Sequence, residues 1–354
     1  MDGPQREFLD DLLSTHSPSG FESPALRAWV DYVSEFADDV SVDAYGNAVA
    51  TREGGGSESD RSIAFGGHAD EIGLMIRDID DDGFLALTRV GGADRTVVRG
   101  QHVVVHADEP VSGVVGQTAV HLRDRDDDAV PEIREIYVDI GVGSREEAEE
   151  LVEVGDPVTI VGRVEALRGT RLAARGMDNR VGIWAAAEGL RRAAARDAEV
   201  TVHAVATVQE ELGANGARMV GFDLAPDAFV AVDVTHATDA PKTPSERATT
   251  VKLGGGPVVA RGSANHRGLV AGIRSVAESE GIDVQLEATG SSTGTDADAV
   301  FASRGAIPSA NVGLPNRYMH TPVEVIDTED LDALATLLGA VGASASAFDL
   351  TAGL

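Results

Sequence analysis

After Gly169 the sequence alternates apolar, strand-like runs with long helical segments, and this alternation restricts the fold more than any other feature. Residues 202–208 and 229–232 read as strands, whereas residues 181–195 and 327–343 read as helices. Such alternation is typical of a sheet layered with helices. We therefore predict an α/β fold for this part of the chain.

Between Leu74 and about Gly162 the texture changes to short alternating segments separated by acidic or glycine-containing turns. Segments such as 102–105 and 135–138 fit half-buried strands, so this part reads as an all-β insert. A chain of 354 residues has room for one large domain and a smaller one. We predict that residues 1–73 and 164–354 form the layered domain and that residues 74–163 form the insert.

The composition excludes several classes of protein. The chain has 59 acidic against 29 basic residues, and its only lysines are Lys242 and Lys252. A protein with a net charge of -30 repels nucleic acid, which makes nucleic acid an unlikely partner. The excess of acidic residues also resembles the composition of proteins from extreme halophiles. There is no cysteine, and residues 1–11 show no basic apolar signal. No uncharged run approaches the length of a membrane span, so we expect a cytoplasmic protein without membrane partners.

Several strand or helix ends carry histidine or acidic side chains. These positions are His68, Asp178, Glu210 with Glu211, Asp233 and His320. Ligands bind at the carboxyl ends of strands in open α/β sheets. Two histidines and three carboxylates suit two divalent ions such as Zn²⁺ or Co²⁺. Asp70 follows His68 by two residues on the same side of the chain, which suits a carboxylate that orients the imidazole.

The adjacent acids Glu210 and Glu211 come after an apolar strand and point in divergent directions. One of them can therefore bind a cation while the other carries protons. Taken alone, these acids could be solvated loop residues, His68 a core histidine, and Asp178 a helix N-cap. The coincidence of so many element ends favours a metal centre. We read the histidines of the insert as structural or surface residues, namely His102, His106 and His121.

At these positions the sequence resembles the tetrahedral aminopeptidases, metallopeptidase family forty-two. The matching motifs are GHADEIG at 67–73, ARGMDNR at 174–180, VQEELG at 208–213, AVD at 231–233 and RYMHTP at 317–322. They span nearly the entire chain in the family's order. The resemblance implies a phosphorylase/hydrolase-like α/β/α catalytic domain of the zinc-peptidase type, interrupted by a β-barrel dimerisation domain. It also implies homodimers that assemble into tetrahedral dodecamers.

The resemblance also implies a set of metal ligands for two divalent ions, Zn or Co, in each subunit. On this basis His68 and Asp233 hold one ion, whereas Glu211 and His320 hold the other. Asp178 bridges both ions, and the peptide bond that follows it is expected to be cis.

The family's chemistry assigns the remaining roles. Glu210 becomes the general base for water activated at the metal centre, and Asp70 fixes His68. The implied activity is that of an aminopeptidase that removes N-terminal residues from short peptides. One departure is Asn215, where family members often carry arginine, and it affects subsite details but no metal ligand.

Two other interpretations stay open on the sequence. The first is a carboxypeptidase or amidohydrolase of the related zinc families, in which the second domain is inserted later in the chain. Here the insert directly follows the His68 motif. The second is a non-catalytic assembly or binding protein on the same fold, although every ligand position and Glu210 are intact.

Overall fold

The computed structural model describes residues 3–56, 61–123, 129–245 and 249–352. Its strands are β1 (Asp39–Val42), β2 (Ala48–Arg52), β3 (Ser62–His68), β4 (Gly73–Ile79), β5 (Leu85–Val90), β6 (His102–His106), β7 (Pro110–Val115), β8 (Tyr137–Asp139), β9 (Pro157–Ile160), β10 (Glu165–Ala166), β11 (Arg171–Ala174), β12 (Thr201–Thr207), β13 (Ala228–His236), β14 (Val258–Arg261), β15 (Gln285–Ala288), β16 (Ser309–Asn316) and β17 (Glu324–Asp327). Its α-helices are α1 (Gly3–Ser14), α2 (Ser23–Val33), α3 (Arg95–Val98), α4 (Arg145–Glu149), α5 (Met177–Ala194), α6 (Asn215–Asp223), α7 (Arg267–Glu280), α8 (Ala297–Val300) and α9 (Thr328–Ser344).

The layered domain is built on a mixed eight-stranded sheet with the strand order β1-β2-β12-β3-β13-β16-β14-β15. Strands β12, β3, β13 and β16 run parallel at its centre. Successive side chains of a strand face opposite sides of a sheet. On β3, Ile63 and Phe65 accordingly join the core under α1, α2, α5 and α9, whereas Ala64 joins the core under α6 and α8. This three-layered arrangement confirms the predicted α/β/α domain.

The insert is a closed barrel in which the strands follow the order β4-β5-β8-β7-β6-β9. Its strands lie between Gly73 and Ile160 and surround a separate apolar core that includes Leu87, Val105 and Val138. A barrel that directly follows the His68 motif confirms the predicted architecture. The limits at 73/74 and 163/164 stay predictions.

A small antiparallel sheet, β10-β11-β17, joins the barrel back to the layered domain. In this sheet Ala174 pairs with Glu324. Strand β11 leads into α5, and β17 follows the loop that contains residues 317–322. The pairing therefore places the motifs at 174–180 and 317–322 side by side, although they lie far apart in the sequence.

The ends of two predicted helices differ slightly from the expectation. Helix α5 begins at Met177 instead of Val181, because Asp178 and Asn179 lie in its first turn with non-helical backbone angles. Helix α9 begins at Thr328, and Asp327 caps it by accepting a hydrogen bond from the Glu329 N–H at 2.9 Å. Within the described ranges, no helix combines the length and the apolar character that crossing a membrane requires.

Candidate metal centre

All of the predicted site residues come together at one edge of the large sheet. His68 ends β3, Asp233 lies in β13, and His320 lies in the loop after β16. Glu210 and Glu211 lie in the 3-10 turn Glu210–Leu212, which follows β12. Asp178 reaches the same edge from the first turn of α5. Parallel strands thus bring residues from five separate motifs into one cluster.

Asp178 lies between the two histidines. Its Oδ1 is 3.1 Å from His68 Nε2, and its Oδ2 is 3.3 Å from His320 Nε2. Potential ligand atoms form two groups, each within 4.8 Å: His68, Asp178 and Asp233 in one, and Asp178, Glu211 and His320 in the other. Asp178 is the member that both groups share.

Glu210 belongs to neither group, although it lies next to them. Its Oε2 is 3.8 Å from His68 Nε2. Glu211, by contrast, places Oε1 3.4 Å from His320 Nε2. The two adjacent acids therefore face different parts of the site, as the sequence suggested.

Asp70 supports the site more extensively than expected. Its carboxylate is 3.3 Å from His68 Nδ1, the ring nitrogen that faces away from the cluster. The same carboxylate accepts hydrogen bonds from the backbone N–H groups of Glu210 at 3.0 Å and Glu211 at 3.1 Å. The hydroxyl of Ser19 donates to it at 2.7 Å. Asp70 thus fixes both the histidine ring and the turn that presents the two acids.

Glu324 is a supporting residue that sequence reasoning missed. Its buried carboxylate accepts the backbone N–H of Asp178 and that of His320, each at 2.9 Å. Burial, followed by the charge of Asp178, raises the pKa of Glu324 to about 8. The available signal was an acid at the start of the apolar strand β17, shortly after the RYMHTP motif.

His320 also contacts the barrel. Its Nδ1 lies 3.2 Å from the carbonyl oxygen of Gly92, in the loop that follows β5. A Cβ atom at Gly92 would lie 2.6 Å from ring atoms of His320, so this close approach requires glycine.

A second missed residue is Asp296, whose side chain is buried beside the site. Thr207 Oγ1 donates to Asp296 Oδ2 at 2.5 Å, whereas Oδ1 has no hydrogen-bond partner in the described part of the chain. Burial raises the pKa of Asp296 to about 6. Its charge also raises the pKa of Glu210, so it contributes to the field at the proposed base.

The cluster is electrostatically crowded. Burial raises the pKa of Glu210 to about 8 and that of Glu211 to about 7, and it holds the pKa of Asp233 well above the ordinary range. Burial acts in the same direction on Asp178, but hydrogen bonds from His320 and His68 hold its pKa below the ordinary range. Carboxylates that resist joint ionisation are the groups that divalent cations neutralise.

Two local expectations are corrected and one is confirmed. Asp233 was expected at a strand end, but β13 continues past it to His236. The acids Glu210 and Glu211 do not directly end β12, because the strand stops at Thr207 and a short turn intervenes. The peptide bond between Asp178 and Asn179 is cis, as expected.

A buried ion cluster lies beneath the site and uses the remaining charged residues of two motifs. Glu71 Oε1 accepts from Arg180 Nη2 at 2.9 Å and from the Ser17 N–H at 2.9 Å, while Oε2 pairs with Arg175. Arg180 also donates to the carbonyl oxygen of Leu12 at 3.1 Å. These contacts tie α1, the His68 loop and the start of α5 together behind the ligands.

The layered domain, the inserted barrel and the cluster of histidines and carboxylates define the zinc-peptidase class of fold. Comparison with known families makes the assignment specific, because the family M42 glutamyl aminopeptidase matches residues 46–337. The chain belongs to this family and is a peptide hydrolase.

Individual relatives agree with this assignment. The chain is 32% identical over 351 residues to lysyl aminopeptidase of Pyrococcus furiosus, covering 98% of this chain and 99% of the relative. A TET aminopeptidase from a marine-sediment Thaumarchaeota archaeon superposes with a TM-score of 0.89 at 29% identity, covering 96% of each chain. The Pyrococcus horikoshii TET1 peptidase, which can assemble into a tetrahedron or a large octahedral shell, gives 0.84 at 33% identity, covering 96% of this chain and 99% of that one.

Proposed function

We propose that the chain is a dinuclear-metal aminopeptidase that removes N-terminal residues from short peptides, with Glu210 as the general base. The observation that carries this proposal is the position of Asp178, whose two oxygens face the two histidines and belong to both groups of potential ligands. A carboxylate shared in this way fits a bridging ligand between two cations.

The donor set fits divalent ions such as Zn²⁺ or Co²⁺. His68 and Asp233 would hold one ion, Glu211 and His320 the other, and Asp178 both. Imidazole and carboxylate oxygen are suitable ligands for these metals. When bound, two such ions lower the pKa of water and polarise the scissile carbonyl group.

The protein's own residues then transfer the protons and keep the metal ligands in position. Glu210 accepts a proton from the attacking water and transfers it to the leaving amine, a role that suits a carboxylate lying 3.8 Å from His68 Nε2 but outside both groups of potential ligands. Asp70 orients His68 and the backbone of Glu210. Glu324 fixes the backbone of Asp178 and His320, so the bridging and terminal ligands keep their spacing.

Three observations support action on peptide N-termini in a homo-oligomer. The relatives in the comparison are aminopeptidases or TET peptidases. The insert follows the His68 motif directly, which argues against the related carboxypeptidases. The Pyrococcus horikoshii TET1 peptidase can assemble into a tetrahedron, and we infer that this chain likewise forms dimers through its barrel that assemble into a tetrahedral dodecamer. A cytoplasmic location stays a prediction.

The test compares aminoacyl-p-nitroanilides with the same substrates carrying an acetylated α-amine, before and after exhaustive chelation. We expect cleavage of the free-amine substrates only, loss of cleavage on chelation, and recovery with Zn²⁺ or Co²⁺. The number of metal ions bound per subunit, measured by inductively coupled plasma mass spectrometry, should approach two. Full activity in a metal-free sample, or cleavage only of peptides with blocked N-termini, would contradict the proposal.

A further inference from the structure

The ligand cluster opens on a cleft of about 480 Å³. Beyond the proposed metal ligands and Glu210, the cleft is lined by hydroxyl groups from two segments, by several apolar groups, by His236 and Asn311, and by one further carboxylate, that of Glu287. Glu287 lies on β15, near the sheet edge, and none of the sequence motifs includes it. Its position makes it a candidate for contact with the substrate.

Glu287 is held at a defined place relative to the metal site. Thr235 follows Asp233 by two residues on β13, so both side chains face the same side, about 7 Å apart along the strand. The buried Thr235 hydroxyl donates to Glu287 Oε2 at 2.7 Å. The carboxylate of Glu287 is thus anchored to the residue that lies two positions after Asp233, a proposed metal ligand, on the same strand.

Glu287 has no permanently charged cationic partner in the described part of the cleft, where His236 is the basic side chain outside the ligand cluster. Among the described residues that line the cleft, none is a lysine or an arginine. Across the described ranges as a whole, Glu287 forms no salt bridge. Its Oε2 accepts one hydroxyl hydrogen bond, and a carboxylate can accept several more. The cleft therefore offers a negative group that a cationic ligand can satisfy.

We propose that Glu287 is a specificity-determining residue that selects substrates with a lysine or arginine side chain at the N-terminus. This inference rests on the proposed aminopeptidase function and names its substrate class. A lysine or arginine stem can lie along Ala288 and Met319, which also line the cleft, while its charged end reaches Glu287. An acidic side chain in the same place would be repelled by Glu287, because no lysine or arginine among the described cleft residues compensates its charge.

The test measures kcat/KM for the p-nitroanilides of lysine, arginine, leucine and glutamate at one salt concentration, with the intact metal-loaded protein. We expect the wild type to favour lysine and arginine over leucine by about tenfold or more, and to cleave glutamate least. Glu287→Gln keeps an acceptor for Thr235 but removes the charge. Its ratio of lysine to leucine cleavage should fall by about 10- to 100-fold, the range expected for a lost charge-assisted hydrogen bond.

Two further variants complete the design. Glu287→Lys should move the preference towards glutamate, whereas Glu278→Gln, at an exposed position on α7, should leave the wild-type ratio in place. A wild type that prefers leucine or glutamate would overturn the inference while the proposed function stands. An equal loss on every substrate in Glu287→Gln would also overturn it, since that pattern indicates a contact with the α-amine or a structural role. Absence of cleavage of any free-amine substrate would instead refute the proposed function itself.

Discussion

The carboxylate of Asp70 accepts the backbone N–H of Glu210 at 3.0 Å. The same carboxylate lies 3.3 Å from Nδ1 of His68, the ring nitrogen that faces away from the ligand cluster. One buried side chain therefore sets the position of a proposed metal ligand and that of the proposed general base. Disturbing it should affect metal binding and catalysis together.

Replacing Asp70 with asparagine should weaken both properties. An amide removes the negative charge beside His68 and places an NH₂ group against one of the backbone N–H donors of the 210–211 turn. Changes to groups that support a metal ligand typically cost about 10- to 100-fold in metal affinity or activity. Competition titration with a metal indicator and kcat/KM measurements would detect this loss.

Ser19→Ala provides the matched control for Asp70. It removes only the hydroxyl hydrogen bond to Asp70 and leaves the charge in place. We expect a loss of about 1 kcal/mol in the free energy of unfolding and little change in metal affinity. Equal effects of the two variants on metal affinity would show that the charge of Asp70 is not what supports His68.

Glu210→Gln should lower kcat by about 100- to 10,000-fold, the usual contribution of a general base, while both metals remain bound. Glu211→Gln should instead reduce the metal content, because Glu211 belongs to a ligand group and Glu210 does not. Metal analysis beside single-turnover kinetics distinguishes the two. Loss of metal in Glu210→Gln, with metal retained in Glu211→Gln, would mean that the roles are exchanged.

The buried ion cluster beneath the site predicts a specific dependence of stability on pH. Burial alone would raise the pKa of Glu71, but Arg175 and Arg180 lower it to about 2, against an ordinary value of 4.5. Because the pKa of Glu71 is lower in the folded state than in the unfolded state, the ionised carboxylate stabilises the fold at pH values above the ordinary pKa of 4.5. This stabilisation is lost as the pH falls towards 2. The shift corresponds to about 3 kcal/mol.

Glu71→Gln isolates this contribution. The variant should be less stable at pH 6 by about 3 to 5 kcal/mol, because two buried guanidinium groups lose their carboxylate. The difference from the wild type should shrink by about 3 kcal/mol between pH 6 and pH 2, since the wild type also loses the charge there. Urea unfolding at a series of pH values measures both quantities, and a difference independent of pH would contradict the prediction.

The acidic composition predicts that assembly depends on salt. With 59 acidic and 29 basic residues, subunit surfaces repel each other when counterions are scarce. The screening length is about 30 Å at 0.01 M salt but about 3 Å at 1 M. Contacts between subunits should therefore fail first on dilution of the salt. Light scattering in dilute buffer and in molar KCl, with sucrose as a non-ionic control, would check this, and an unchanged particle mass would refute it.

The sequence was most informative where a local pattern carried the signal. The apolar run of β3 ends at His68, and the texture change after the GHADEIG motif coincides with the barrel. Both signals are local, because strand periodicity and turn residues can be read from a few neighbouring positions. The same holds for α9, whose capping residue Asp327 stands immediately before its first turn.

The supporting residues could not be predicted in this way. Glu324 binds the backbone of Asp178, which lies 146 residues earlier in the chain. Asp296 and Glu287 are ordinary acids in an acidic sequence until the fold buries one beside the site and brings the other to the cleft. Their roles follow from the order of strands in the sheet, and no short sequence window contains that information.

The contact between Gly92 and His320 changes what can be removed from this protein. A smaller, monomeric catalyst would be designed most simply by cutting out residues 74–163 and closing the gap with a short linker. That deletion would also remove the carbonyl oxygen of Gly92, which lies 3.2 Å from Nδ1 of the His320 ring. The loop after β5 therefore contributes to the candidate metal centre, and a minimised enzyme would have to keep residues 91–94 or replace the contact with His320.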